Sequence, residues 1–361
     1  MIKFPSIEQF RTAIKNVQSR AQWSGRDENG DHVFDRSKLI PTLTLRGTVK
    51  LHGTNAGIVF DANGNVVSYQ SRERELTLTQ DNAGFMLYMQ QPAVQAELQD
   101  MIAHIIDQSD FWIGDRDIED LENVVMFGEW CGGNIQKGVA ISGLPKMFVY
   151  FGIKAIFKGE DETKNSLWLD LEYFETMEAR EQNIYNVLTF GQWKIDIDFN
   201  YPQLKQQELV DLTIAVENEC PAGKFFGNSG VGEGIVWQPM TEGWRRSDFW
   251  FKVKGEKHSV SKVRTLAPVD TEAFQKMADF VAATVTEARL EQGLKVLQTE
   301  LLLPFEMKSL GDFIRWVYND IIKEETDTIV ANQFDPKKLG GPIANAARPW
   351  FIQKFNESVG V

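Results

Sequence analysis

Leu43-Thr44-Leu45-Arg46-Gly47-Thr48-Val49-Lys50-Leu51-His52-Gly53-Thr54-Asn55 is the stretch on which the reading of this chain turns. Its first seven residues form a β-type run, and Lys50 stands where that run meets a His-Gly turn. Glycine at such a turn lets backbone approach a ligand closely. A lysine held there suits a nucleophile that attacks a phosphate. Taken by itself, Lys50 is equally well an exposed lysine at a strand end before a hairpin. The residues downstream of Asn55 decide between the two.

From Leu43 to about Pro268 the texture is β-rich with helical inserts. Strands are predicted over Leu43–Val49, Ala56–Asp61, Val66–Gln70, Val124–Trp130, Lys146–Phe157, Gly234–Gln238 and Phe249–Val253. Asn63-Gly64 between two apolar runs is a hairpin signal. Residues 92–108 read as a helix, with Val94, Leu98, Met101, Ile102 and Ile105 on one face. Upstream, residues 5–20 carry Ile7, Phe10, Ile14 and Val17 at helical spacing, with Ser6 as the expected N-cap. Residues 23–38, polar and rich in Asp and Gly, read as a loop.

Near Leu266-Ala267-Pro268 the character changes. Val269–Leu297, Leu310–Glu325 and Ala344–Ser358 read as helices, punctuated by Leu302-Leu303-Pro304 and by Leu339-Gly340-Gly341-Pro342. A mixed domain over 1–266 and a helical domain over 267–361 are expected, the alternative being one large domain with a helical packing element.

The 361 residues suffice for two domains, and 43% hydrophobic with 25% charged is ordinary for a globular protein. A formal charge of -13 argues against a generally basic nucleic-acid binder. Phosphate contacts need only a basic strip, however. Arg245, Arg246, Lys252, Lys254, Lys257, Lys262 and Arg264 form one, against Asp248 and Glu256. Interleaved Phe249, Trp250, Phe251 and Val253 make it read as a strand with lysines on one face. Two cysteines, Cys131 and Cys220, make no disulfide framework, and no Cys/His spacing suggests zinc. With no spanning apolar stretch and no signal-peptide layout, a cytoplasmic protein is expected, of a cell or of an infected host.

Five further motifs come after Lys50 in order: Ser71-Arg72-Glu73-Arg74, Val125-Met126-Phe127-Gly128-Glu129-Trp130, Phe148-Val149-Tyr150-Phe151-Gly152-Ile153, Gly232-Glu233-Gly234-Ile235-Val236 and Phe251-Lys252-Val253-Lys254. Singly, each has an ordinary structural reading: surface charge, strand ends, core aromatics or an edge strand guarded by lysines. In this order they resemble the covalent nucleotidyltransferases, and Lys50-Leu51-His52-Gly53-Thr54-Asn55 resembles the type-2 ATP-dependent RNA ligases of phages and kinetoplastids.

The resemblance implies an α+β fold: an adenylyltransferase (nucleotidyltransferase, ATP-grasp-like ligase) domain of antiparallel sheets with helices, then a small all-α C-terminal domain. It implies that Lys50 becomes Lys-AMP and that Asn55 contacts nucleic-acid phosphate. His52 either faces the α-phosphate or caps the turn. Arg72, or secondarily Arg74, would contact the ribose and the nucleic-acid end. Glu129 would bind the ribose hydroxyls, Phe151 would stack on adenine, and Glu233 would assist the metal. Lys252 and Lys254 would stabilise charge at the α-phosphate and help depress the pKa of Lys50. ATP and Mg²⁺ (or Mn²⁺) are the implied cofactors. RNA with 3′-hydroxyl and 5′-phosphate ends is the implied partner, in a nicked duplex or an RNA–DNA hybrid, and a monomer is expected. The chain departs from the family pattern at Val49, where many members have Glu, and at Gly152, where Asp is usual. Three readings stand beside this one: a DNA ligase, an mRNA-capping guanylyltransferase, and a catalytically idle nucleic-acid-binding protein of the same fold. The helical C-terminus argues against the first two, since an OB barrel would show short β runs.

Overall fold

The computed structural model describes residues 1–35, 38, 40–159, 165–200, 202–255 and 273–359. The chain divides into two compact units, Met1–Lys257 and His258–Val361. The boundary expected at 266/267 lies outside the described residues, as do Lys257, Lys262 and Arg264 of the basic strip.

Two large sheets and one two-stranded ribbon make the first unit. One has five strands, in the order Glu8–Gln9, Phe251–Lys254, Gly234–Pro239, Thr42–Lys50 and Gln192–Asp198. The other runs Ile184–Asn186, Met147–Phe157, Leu121–Cys131, Thr54–Asp61 and Val66–Ser71, with Ser166–Leu169 paired to Met147–Phe157. The ladders are antiparallel except where Glu8–Gln9 meets Phe251–Lys254 and where Ile184–Asn186 meets Met147–Phe157. The expected α+β class, with antiparallel sheets and a helical C-terminal region, is the one observed.

Alternation sets what each sheet hides. In the five-stranded sheet Val49 and Ile235 face each other, as do Trp237 and Phe251, and all four are buried. The opposite face carries Arg46, Thr48 and Lys50, with Lys252 and Lys254 across the ladder. The helix Pro92–Asp107 buries Val94, Leu98, Met101, Ile102 and Ile105, the stripe its 3.6-residue spacing predicts. Gly64, with φ +81°, makes the turn after Asn63, and Asp61 accepts from the amides of Asn63 and Asn65.

Local expectations at the N-terminus are corrected. The helix spans Phe10–Gln22, not 5–20, and Gln9 rather than Ser6 precedes it. Glu8 and Gln9 are drawn out as a strand by pairing with Phe251 and Lys252. Residues 23–38 are not simply a loop: Trp23–Arg26 and His32–Phe34 form an antiparallel ribbon. The basic strip is not one strand either. Among its described residues the paired strand is Phe251–Lys254; Ser247–Phe249 is a 3₁₀ turn, and Arg245 and Arg246 turn to Asp170 and Asp248.

In the second unit the described helices are Ala273–Thr284, Glu287–Thr299, Leu310–Glu324, Thr326–Ala331 and Pro336–Val359. Thr286 caps the second by accepting from the Arg289 amide, which splits the single helix expected over 269–297. Leu339-Gly340-Gly341-Pro342 does not punctuate: it lies inside Pro336–Val359, together with Pro349. Leu339, Ile343, Ala347 and Phe351, four residues apart, are all buried, and that packing outweighs the roughly 3 kcal/mol an interior proline costs. Among the described residues no helix is long and apolar enough to cross a membrane.

Candidate active site

Lys50, Gly234 and Lys254 occupy one row across three adjacent strands. Side chains opposite each other in antiparallel strands share a face, so the two lysines converge over Gly234, which has none. Into that gap comes Glu233, from the residue just before its strand. Its Oε2 lies 2.7 Å from Lys50 Nζ and its Oε1 lies 3.1 Å from Lys254 Nζ. His52 Nδ1 is 3.3 Å from the same Oε2 that Lys50 holds. Glu233 is 3% exposed, whereas the lysine side chains keep about a fifth of their surface. Burial alone would raise the Glu233 pKa. The two ammonium groups, with the His52 hydrogen bond, outweigh it and hold the carboxyl well below its ordinary 4.5.

Gly234 is required for this convergence. Its φ is +150°, and a Cβ there would run into the Val253 carbonyl oxygen and come within 2.9 Å of Lys254 Cα. Gly53 is constrained likewise. A Cβ on it would strike the Trp130 carbonyl and lie 2.7 Å from Cys131 Cβ. Its amide donates to Glu129 Oε1 at 2.9 Å. Glu129 in turn faces Asn55 across the ladder, so the His-Gly turn after Lys50 is clasped to the second sheet.

Lys252 stands two residues before Lys254 on the same face, opposite Val236. The structure thus brings together Lys50, His52, Glu233 and Lys254, with Lys252 beside them and Glu129 and Asn55 reached through the turn. The other expected residues stand in different surroundings. Arg72 is half-exposed, 3.4 Å from Ser6 Oγ and 3.9 Å from Glu73. Arg74 donates to the Asp81 carbonyl at 3.2 Å. Phe151 sits at a bulge where Phe127 pairs with Gly152 and Gly128 with Tyr150, leaving Phe151 as the extra residue. Its ring is 5.0 Å from that of Phe4, which also meets Phe127, Trp168 and Trp250.

Gly152 and Val49 acquire physical accounts. A Cβ on Gly152 would meet the Trp168 ring at 3.2 Å and the Phe4 ring at 3.8 Å, so these rings fill the space a longer side chain would need. Val49 points into the core, opposite Ile235.

Sequence reasoning missed a second charged cluster on the Lys50 face. Arg46, 6% exposed, is 2.7 Å from Asp170 and 2.6 Å from Glu172, and Arg245 reaches Asp170 at 3.1 Å. Burial pushes the Asp170 carboxyl up, but Arg46 and Arg245 and the Glu172 amide hold it below its usual value. Strand alternation from Lys50, counted back four residues, was the available signal. Both cysteines are buried and free. Among the described residues no group of three or more His, Cys, Asp or Glu is placed to hold a metal ion.

Similarity to known proteins coincides with this geometry. A model of the RNA ligase family matches residues 44–254, more than half of the chain, from the strand that carries Lys50 to Lys254 itself. No curated protein matches. Among solved structures, the chain is similar to an RNA ligase of Naegleria gruberi, solved as a mutant with ATP and Mn, at 14% identity and a TM-score of 0.39. The likeness covers 71% of this chain and 57% of that one, so the chain spans little more than half of that ligase's length. It is also similar to an archaeal ATP-dependent RNA ligase, at 13% identity and a TM-score of 0.34, over 91% of this chain and 65% of that one.

Proposed function

We propose that this chain, which belongs to the RNA ligase family, is an ATP-dependent RNA ligase whose nucleophile is Lys50. The observation that carries the proposal is the row Lys50–Gly234–Lys254 closed by the buried Glu233 carboxylate. It gathers an amine, a second cation and a carboxylate within 3.1 Å contacts, in a setting where such charges act strongly.

In the first step Lys50 Nζ, having lost its proton, attacks the α-phosphorus of ATP. A phosphorus–nitrogen bond forms, the bond to pyrophosphate breaks, and AMP stays on the lysine. Lys252 and Lys254, aligned on one face, offset the charge that develops on the phosphoryl oxygens. In the second step AMP passes from Lys50 to an RNA 5′-phosphate. In the third a 3′-hydroxyl attacks that phosphate, a phosphodiester forms and AMP leaves. Glu129 positions the turn that aims Lys50 and is the candidate for the ribose hydroxyls; Phe151 is the candidate for stacking on the base. Asn55, Arg72 and Arg74 are the candidates for the nucleic-acid end. The substrate proposed is RNA with 3′-hydroxyl and 5′-phosphate ends, in a nicked duplex or an RNA–DNA hybrid.

Glu233 is a hard oxygen donor of the kind Mg²⁺ and Mn²⁺ take alongside phosphate oxygens, and it would hold a divalent ion through Oε2 once Lys50 gives up that oxygen. When bound, such an ion would neutralise charge on the leaving pyrophosphate. The helical region after the boundary is proposed as a separate domain that engages nucleic acid and does not contribute to the reaction with ATP.

Labelled ATP tests the reading. Purified protein with Mg²⁺ should acquire a covalent label that survives alkali and is lost in acid, as a lysine phosphoramidate is. Lys50→Ala should acquire none. Label retained by Lys50→Ala would overturn the assignment of the nucleophile.

A further inference from the structure

The ribbon formed by Trp23–Arg26 and His32–Phe34 has one face made of aromatic rings. Trp23 pairs directly with Phe34, and His32 lies two residues before Phe34, so the three side chains share that face. Trp23 Nε1 donates to His32 Nδ1 at 3.0 Å, and the His32 and Phe34 rings stack 6.3 Å apart at 25°. Hydrogen bonding and stacking therefore hold the rings as one surface. It is open to solvent: Trp23 is 42% and Phe34 48% exposed. Single exposed apolar residues need no explanation, but a contiguous, pre-arranged patch does.

Charge around the patch is divided. Asp27, Glu28 and Asp31 lie at the turn, where Asp27 accepts from the amides of Asn29 and Asp31. The cations Arg20 and Lys38 lie toward the open end, where Asp35 follows Phe34, and Arg26 lies along the face. Arg20 is in the last turn of the helix leading into the ribbon. Lys38 donates to the Trp23 carbonyl at 2.8 Å, and Arg26 pairs across from His32 and donates to the Gly30 carbonyl at 2.6 Å. Flat rings flanked by cations match a strand of nucleic acid, whose bases present π-faces and whose backbone is anionic.

The ribbon's place in the fold fits the same partner. Gln18, one turn earlier on the helix, donates to the Phe199 carbonyl, just beyond the Asp198–Thr42 pair. That pair is the end of the sheet opposite Lys50. The eight steps of strand from Thr42 to Lys50, at about 3.3 Å each, put that contact, one turn of helix before the ribbon, on the order of 25 Å from the Lys50 row. That is several nucleotides along a strand.

We propose that the Trp23–His32–Phe34 face is a stacking platform for a single-stranded stretch of the RNA substrate, several nucleotides from the ends being joined. The proposal rests on the RNA ligase reading for its choice of partner, and its test does not depend on Lys50 chemistry. Affinity for a labelled single-stranded RNA of about 20 nucleotides is read by fluorescence anisotropy on the full chain without ATP. Loss of one aromatic stack should weaken binding by about tenfold or more, so Trp23→Ala and Phe34→Ala should each do so. Trp23→Phe should keep most of the affinity, and Val33→Ala, on the ribbon's other face, should keep all of it. Circular dichroism of each variant reports whether the fold is intact. Unchanged affinity in Trp23→Ala and Phe34→Ala would overturn the proposal. So would equal losses in Val33→Ala, or a self-association that Trp23→Ala abolishes while RNA affinity stays the same. Were wild-type protein to form no lysine adduct with ATP, the catalytic reading would fall, and the RNA affinities would still decide the platform.

Discussion

Replacing Glu233 by Gln keeps the shape of the side chain and removes the charge that Lys50 and Lys254 share. Two ion pairs near 3 Å are lost. At an effective dielectric of about 20, a pair at roughly 4 Å between charge centres gains ~4 kcal/mol, so two set a ceiling near ~8 kcal/mol. Burying the carboxylate costs several kcal/mol of that, and the lysines, a fifth exposed, are partly screened by water. A net loss of about 2–3 kcal/mol is expected, equivalent to a fall in melting temperature of ~4–12 °C for a unit of this size. The difference must also depend on pH in one direction. The Glu233 pKa is depressed below 4.5 in the fold, so its contribution is complete above the unfolded value and is lost as pH falls through the folded one. Thermal unfolding followed from neutral pH downward should show wild type and Glu233→Gln converging by about 1.4 kcal/mol per pH unit below 4.5. A gap that stays constant down to about pH 3 would refute the electrostatic account. A gap near zero at neutral pH would show that desolvation cancels both pairs.

Gly53→Ala should lower Lys50 adenylylation by about a hundredfold, because a Cβ against the Trp130 carbonyl must displace the turn and its bond to Glu129; a rate within a few fold of wild type would show that the turn does not set the geometry. Arg289→Leu should destabilise the helical unit by about 3–5 kcal/mol, read as loss of helical circular dichroism at lower temperature, since Arg289 is fully buried and its loss strands the buried Glu325. The Arg289→Leu, Glu325→Met pair should recover part of that loss, because it strands no carboxylate at 325, while Asp320, 2.9 Å from Arg289 Nε and 17% exposed, still loses that partner.

The parts of the fold that were legible in the sequence are those where one physical effect dominates over a long stretch. The Pro92–Asp107 stripe and the strands around Lys50 follow from periodicity alone, and Asn63-Gly64 from turn chemistry. What was hidden depended on partners distant in the chain. Glu8 and Gln9 became a strand because Phe251 and Lys252 offered an edge 243 residues away (251 minus 8). Pro342 entered a helix because Leu339, Ile343, Ala347 and Phe351 had a core to fill. Within the site, Lys50, Glu233 and Lys254 could be singled out as residues. Their convergence was implied by the resemblance alone; the register that achieves it needs the strand order that puts Gly234 between them. Glu129 was expected as a ligand-binding residue, but its hydrogen bond to the Gly53 amide was not foreseen.

The same pairing orders the events at Lys50 on the proposed chemistry. On that chemistry the attacking amine must be free of its proton and aimed at phosphorus, so Lys50 would give up its 2.7 Å contact with Glu233 Oε2. A carboxylate with 3% exposure cannot then stand alone, because an unpaired buried charge costs several kcal/mol. Lys254 answers half of this need, since it holds the other oxygen and can stay where it is. His52 answers the rest. Its Nδ1 is already 3.3 Å from Oε2, the oxygen Lys50 would vacate, so a small rotation replaces one partner with the other. On that proposal His52 would act through Glu233 and not on the phosphate directly. The residue after His52 is anchored meanwhile, since the Gly53 amide donates to Glu129 Oε1 at 2.9 Å.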